Sequence, residues 1–573
     1  MQYQWRISLA LAAVAAFGTQ LATAQSIDPK MKAFLQNATK LQDKFTEGDD
    51  RVLSPGTKTF LNSTKAAIDP ASIGEEEEEG TPNGIVLNGA GIRSALAPST
   101  QSFTQASVPG LISVSKSALD YQYSRIGGFT QNDSATAWCG SNIVTAYNDT
   151  SVYDFTLLNT PSISLTGLSY SGDNGKTFTN LGYLNPGTDP FSFIGGPHTV
   201  ICTDAKTFYY AGFFEKGVLN PGGWYDPSYG VGISRSTDGG KTWSAPTPTK
   251  MYSNWWQLPD WASFAIDPTN SNRMYVSYTL IDYLGSQTLD CQGNGSYAIE
   301  FLKSNDGGQT WSSPAILSEE CRNSGNAVTA SQVAAGAGGR VYVSYLHFTG
   351  EDAEQIMVAR SSDGGATFST AQASDAVPAG MVHLLQGFML TNEYPSIAVD
   401  NSKAGSNGTV YIAWTDGRAR QILDLAGPDG IYAFGDAVVI RSSDFGTTWS
   451  APHAVRTDDG PTDLPSGDQF FPSVAVDSTG AVAVCYYDRT RDAANNAADR
   501  RCSLSSNGTR FASKLLTQKP FSFAHFTDIG LERGYVGMRD GVATDPTGAT
   551  KGFFNAFQVQ VANNPNIYGG SVQ

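Results

Sequence analysis

The residues able to do chemistry are scattered between His198 and Arg489, and none of them falls into a compact motif. Asp260 and Glu393 are the carboxylates taken as acid and base, and Tyr487, or its neighbour Tyr486, offers a phenol that could act as nucleophile. Cleavage of a glycosidic bond needs such a set: two carboxyl groups, or a Tyr–Glu equivalent, flanking the bond that breaks. Trp224, Tyr225, Trp255 and Trp256 provide flat rings on which a sugar can stack. Arg418 and Arg489 carry the planar fork that grips a carboxylate through two hydrogen bonds, and Asp468 and Asp488 stand close to them in sequence. Together these suit an acidic glycan. An eliminating lyase would instead need a Tyr or His base with an arginine, and His198, His347 and His383 are present for that reading. There is no phosphate loop, dinucleotide fingerprint, zinc HExxH or nucleophile elbow, so no cofactor is required. Acidic loops such as 456–468 could hold a structural calcium.

These residues lie in loops between repeated strands. The pattern S-x-D-x-G-x-T-[W/F] occurs at SGDNGKTF (171–178), STDGGKTW (236–243), SNDGGQTW (304–311), SSDGGATF (361–368) and SSDFGTTW (442–449), with a shortened copy, SSNGTRF, at 505–511. The Asp accepts backbone N–H groups in a tight turn, Gly takes a conformation closed to other residues, and the aromatic packs beneath. The five aspartates are therefore turn staples rather than catalytic groups.

Ahead of each turn come short apolar strands such as NIVTAYND (142–149), RMYVSYTL (273–280) and TVYIAWTD (409–416), several preceded by another strand ending in Asp: SFAID (263–267), SIAVD (396–400), SVAVD (473–477). The order strand, turn, strand, loop, strand, Asp turn, strand describes one four-stranded blade. Six blades are legible. A seventh is expected from 534–545 and 551–561, closed by an outer strand from GLISVSKS (110–117), because an open array would leave bare sheet edges. The fold is thus all-β, a propeller with seven blades favoured over six. Six cysteines allow 15 pairings. The blade register suggests Cys139–Cys202, Cys291–Cys321 and Cys485–Cys502.

Residues 1–24 read as a signal peptide, with Arg6, an apolar core and Ala22-Thr23-Ala24 before the cleavage point at Gln25. That implies a secreted or periplasmic protein. Residues 25–105 are read as a helical stretch (27–45) followed by a polar linker with the run Glu75 to Glu79, and 106–573 as the propeller. A net charge of -16 excludes nucleic acid as the main partner, and no stretch is long and apolar enough to span a membrane.

The five Asp turns, with WTDGR (414–418), GDQFFPSVAVD (467–477) and YYDRTRD (486–492), resemble bacterial sialidase-like BNR-repeat (Asp-box) propellers over roughly residues 130–560. The resemblance implies a glycan or glycoconjugate as partner. In sialidases three arginines bind the substrate carboxylate, an Asp is acid/base and a Tyr–Glu pair is nucleophile. The first arginine normally lies in F/Y-R-I-P; here YSRIGG (123–128) keeps Arg125-Ile126 and lacks the proline. The implied function is a sialidase-like glycoside hydrolase. A noncatalytic carbohydrate- or protein-binding propeller and a polysaccharide lyase are the alternatives.

Overall fold

A computed structural model describes residues 52–54, 57 and 107–573, apart from 117–120, 124–125, 129, 151–161, 190–191, 224, 351–352, 381–383, 388, 424–430, 457–466, 524–526, 529–536 and 562–563. The expected helix at 27–45, the glutamate run, Arg125, Trp224 and His383 lie outside the described residues.

Seven antiparallel sheets form the ring. Blade 1 runs outward through Gln131–Cys139, Asn142–Asp149, Thr166–Ser171 and Thr179–Tyr183. Blade 2 follows with Ser192–Cys202, Phe208–Leu219, Tyr225–Ser236 and Thr247–Tyr252, and blade 3 with Gln257–Asp267, Asn270–Asp282, Ser296–Ser304 and Ala315–Cys321. Blade 4 is Asn326–Gly336, Arg340–Thr349, Glu354–Ser361 and Ser369–Ala376; blade 5 is Ser396–Val399, Val410–Leu423, Ile431–Ser442 and His453–Ala454. Blade 6 is Gln469–Val476, Val482–Asp488, Ala497–Ser505 and Ala512–Leu515. Blade 7 takes Val542–Ala543, Phe553–Val561 and Asn564–Val572 from the C-terminal end and Ile112–Ser113 from the N-terminal side. Seven blades and closure by both ends of the chain agree with the expectation from sequence.

The second strand of each blade is apolar on both faces because it is covered by neighbouring blades on each side; Val482–Asp488 is buried along its whole length. The three disulfides pair as the register suggested. Cys139–Cys202 ties the innermost strands of blades 1 and 2, Cys291–Cys321 closes the outer part of blade 3, and Cys485–Cys502 joins directly opposed residues of blade 6.

All Asp turns sit between the third and outermost strands, at the end of the ring here called the base. In blade 2, Ser236 Oγ donates to Asp238 Oδ1 (2.8 Å) and accepts Gly240 N–H (2.9 Å), while Thr242 N–H and O–H go to the two carboxylate oxygens. The same bonds recur around Asp173, Asp306, Asp363 and Asp444. The shortened copy keeps the turn with Asn507 Oδ1 as acceptor for Thr509 N–H (3.0 Å). A second carboxylate turn closes the first hairpin at the same end, as at Asp267 with Thr269 and Asp477 with Thr479. Both short turns at the base leave the long loops and the innermost strand starts at the opposite end, the mouth.

Candidate functional site

Each innermost strand starts at the mouth, and several start with a bulge. The ladder shifts between Asn132 and Ala135, between Asp260 and Ser263, between Thr329 and Gln332, and between Phe470 and Ser473. At each shift one non-glycine residue takes positive φ: Asp133 (50°), Trp261 (56°), Ala330 (57°) and Phe471 (52°). That conformation costs energy for residues with a side chain and recurs where the surroundings enforce it. The bulges re-aim side chains toward the axis. Below them runs a channel of about 200 Å³, lined by one stretch from every blade, among them Thr136, Val200, Ser263, Gln332, Ser396, Ser473 and Gly541.

At the upper end of this channel four blades contribute to one cluster. The Trp261 and Tyr394 rings meet edge to face at 4.5 Å, and the Arg539 guanidinium lies 4.6 Å from the Trp261 ring. Desolvation of the half-buried Arg539 guanidinium pulls its pKa down to about 10 against the opposing pull of Asp133, Tyr394 and Asp260. Asp133 Oδ1 accepts the N–H groups of Met538 (2.6 Å) and Arg539 (3.1 Å), fixing blade 7 to blade 1. Burial raises the Tyr394 phenol well above its ordinary value, and Glu354, Glu393 and Asp260 raise it further. Asp260 and Glu393, far apart in sequence, are thus brought to the same ring.

Asp260 is completely buried, and burial raises its pKa although several donors stabilise its charge. One donor is the neighbouring Trp261 N–H (2.7 Å to Oδ1), and the others come from outside the propeller. Ser54 N–H reaches Oδ2 and Ser54 O–H reaches Oδ1 (2.5 Å each), and Thr57 O–H reaches Oδ1 at 2.9 Å. Val52 C=O accepts both Trp261 Nε1–H (2.6 Å) and Thr329 O–H (2.7 Å). Glu393 accepts the N–H of Ala379 at 2.9 Å and is likewise buried.

The other sequence candidates occupy different settings. Tyr487 is buried, exchanges hydrogen bonds with the backbone of Gln558 (3.1 Å each way) and carries the Arg500 guanidinium 4.4 Å from its ring; Tyr486 bonds Ser503. The phenol beside the carboxyls is Tyr394. Arg489 is paired with Asp468 (3.4 Å) and donates to Gln386 C=O (2.9 Å), while Asp468 also accepts Tyr432 O–H, Asn495 Nδ2–H and Gly435 N–H. Asp488 pairs with Arg501 at 2.6 Å and Arg456 at 3.7 Å. Arg418 forks onto Asp416 (2.6 and 2.7 Å), with its side chain about one-third exposed at 35%. Trp255 and Trp256 form an edge-to-face pair (5.6 Å) in the connection just before Asp260, and Tyr225 opens the third strand of blade 2. His198 is held between Tyr210 O–H (2.8 Å) and Asn148 (2.9 Å), and burial lowers its pKa to about 3, so it is neutral. His347 contacts Glu320 at 3.0 Å.

Sequence reasoning did not single out Trp261, Thr329, Tyr394, Arg539 or the segment 52–57. A signal existed for two of them. Trp261-Ala262 and Tyr394-Pro395 precede SFAID and SIAVD in the same register, as Phe471-Pro472 precedes SVAVD.

Among the described residues no group of three or more His, Cys, Asp or Glu is arranged to hold a metal ion. No helix among them is long and apolar enough to cross a membrane.

No family model and no curated protein matches the chain. Solved propellers do. A Hadza microbial sialidase aligns at 12% identity over 71% of this chain and 73% of its own, with a TM-score of 0.37. An α-L-arabinofuranosidase from Fusarium graminearum aligns at 11% identity over 70% and 98%, TM-score 0.42. An ulvan lyase, described as a new family of polysaccharide lyase, aligns at 12% identity over 81% and 97%, TM-score 0.44. At such identities the likeness is one of fold.

Proposed function

We propose that this chain is an extracellular, glycan-directed propeller of the glycoside-hydrolase type, with its site at the channel mouth around Asp260, Glu393, Trp261 and Tyr394. The observation that supports it is the meeting of two buried carboxyls at one aromatic pair. Asp260, its pKa raised by burial, suits a proton donor to a leaving oxygen; Glu393 is the complementary base. The three disulfides favour an oxidising compartment, in keeping with the N-terminal leader read from sequence.

The glycan favoured here is neutral. Glu354, Glu393 and Asp260 act on Tyr394 alongside Arg539, and Asp133 and Asp260 act on Arg539, so the charge at the mouth is mostly acidic and would disfavour a uronate or sialate. The arginines that pointed to an acidic sugar, Arg418 and Arg489, each hold a carboxylate of this chain. A turnover screen of neutral and acidic aryl glycosides tests the reading. Asp260→Asn and Glu393→Gln should each lower kcat on the best neutral substrate by about 100- to 10,000-fold. Turnover untouched by both changes would remove the site from the mouth. One observation favours a noncatalytic binder instead: the Asp260 carboxylate is already bonded by Ser54 and Thr57. Specific glycan binding without turnover is the result that reading expects.

A further inference from the structure

Residues 52–54 and 57 are the one described part of the chain before Ser107, and all four are buried in the mouth. Val52, Ser54 and Thr57 are fully buried and Leu53 is 1% exposed. Five hydrogen bonds join them to three propeller residues, Asp260, Trp261 and Thr329. These bonds divide into two groups of distinct chemistry. A carboxylate accepts two hydroxyls and an N–H; beside it, an indole N–H and a threonine hydroxyl both donate to one oxygen. A chain that merely crossed the face would have no need of a buried carboxylate, whose removal from water is costly unless it is fully bonded.

The same division fits a saccharide. Two sugar hydroxyls can take the places of Ser54 and Thr57 on Asp260, and a third oxygen can take the place of the Val52 carbonyl between Trp261 and Thr329. Lifting the segment would leave an acceptor and two donors open at the top of the channel. The acidic surroundings select a neutral polyol for them.

We infer that Val52, Leu53, Ser54 and Thr57 act as a strap that occupies the saccharide subsite built by Asp260, Trp261 and Thr329, so that a neutral glycan binds there only when the strap is displaced. This rests on the glycan reading above and adds to it the subsite, its ligand class and its control. These four residues thereby hold the site shut.

The test uses the full chain, with amide hydrogen exchange at Ser54 and calorimetric titration of xylotriose, mannotriose and arabinotriose. In the wild type the Ser54 amide should be protected and saccharide binding weak. The Ser54→Ala/Thr57→Ala double variant should free that amide and tighten the best-bound trisaccharide by about tenfold or more, since affinity scales with the fraction of open molecules. Ser54→Asp, which sets a second carboxylate against Asp260, should do the same more strongly. A freed amide with no tightening of a trisaccharide that the wild type binds overturns the strap and leaves the glycan reading standing. Binding to none of the three forms defeats the glycan reading and the strap with it. If neither variant frees the amide, the segment is a fixed part of the propeller and the inference is overturned.

Discussion

The base and the mouth of this ring use carboxylates in opposite ways. At the base, the same turn is stamped out five times, and its aspartates are exposed or half-buried, bonded by their own loop and held more acidic than usual. In Asp173 and Asp306 the box threonine, Thr177 or Thr310, is the main cause, its hydroxyl and N–H holding each carboxyl down to about 2. At the mouth each carboxylate is different, buried and bonded to distant parts of the chain, and burial pushes Asp260, Asp468 and Asp540 upward. Repetition thus marks the carboxylates that make the scaffold, and individuality marks those that set up the site. The two sets also act on stability with opposite sign. A base aspartate contributes stability above its unfolded value of 3.8 that is lost as pH falls toward about 2. A mouth carboxylate with raised pKa does the reverse, and its contribution declines as pH rises from the unfolded value to the folded one.

The comparison breaks first at Arg500. Its guanidinium is buried between Asp540 (3.4 Å) and Asn555 (2.8 Å), over the Tyr487 ring, where blades 6 and 7 meet. Arg500→Ala leaves Asp540 buried without its countercharge and should cost about 3–5 kcal/mol in urea denaturation. A loss as small as a surface pair gives would mean that the mouth half is no more coupled than the base. A smaller effect of opposite sign is expected at Glu215. This residue faces Tyr229 across blade 2, is buried, and its Oε1 has no hydrogen-bond partner among the described residues. Burial raises its pKa above 4.5, so wild-type stability declines as pH climbs past that value. Glu215→Gln should remove the decline and stabilise the protein at neutral pH by about 1–2 kcal/mol. Equal pH profiles for the two proteins would refute it. Comparable in size is Ser236→Ala at the base, which strands the Gly240 N–H and should cost about 1–2 kcal/mol. Ser171→Ala and Ser361→Ala should cost the same, because Gly175 and Gly365 depend on them identically. Unequal costs among the three would show that the turns are not interchangeable.

What could be read from sequence divides along the same line. The base turns were legible because each is local: serine, aspartate, glycine and threonine bond one another within a few residues. Blade count, closure by residues near Ile112 and the three disulfides followed from that register. The mouth was not legible in the same way. A bulge adds one residue and turns the next side chain through the sheet, so whether Asp260 or Trp261 faces the axis depends on a ladder shift that no local pattern announces. Asp468 and Arg489 look like ligand groups until their mutual pairing is seen, and that pairing spans 21 residues. The bond from Ser54 to Asp260 spans 206, and nothing in the polar stretch around it hints at a partner.

The seam of blade 7 has a consequence in time. Ile112 and Ser113 must wait for Gly569 and Tyr568, their partners across the sheet. During synthesis the ribosome therefore releases nearly the whole ring before its first strand finds a neighbour. Until then blade 1 and blade 6 each present a bare flank, and the nascent chain is open to non-native pairing with other chains.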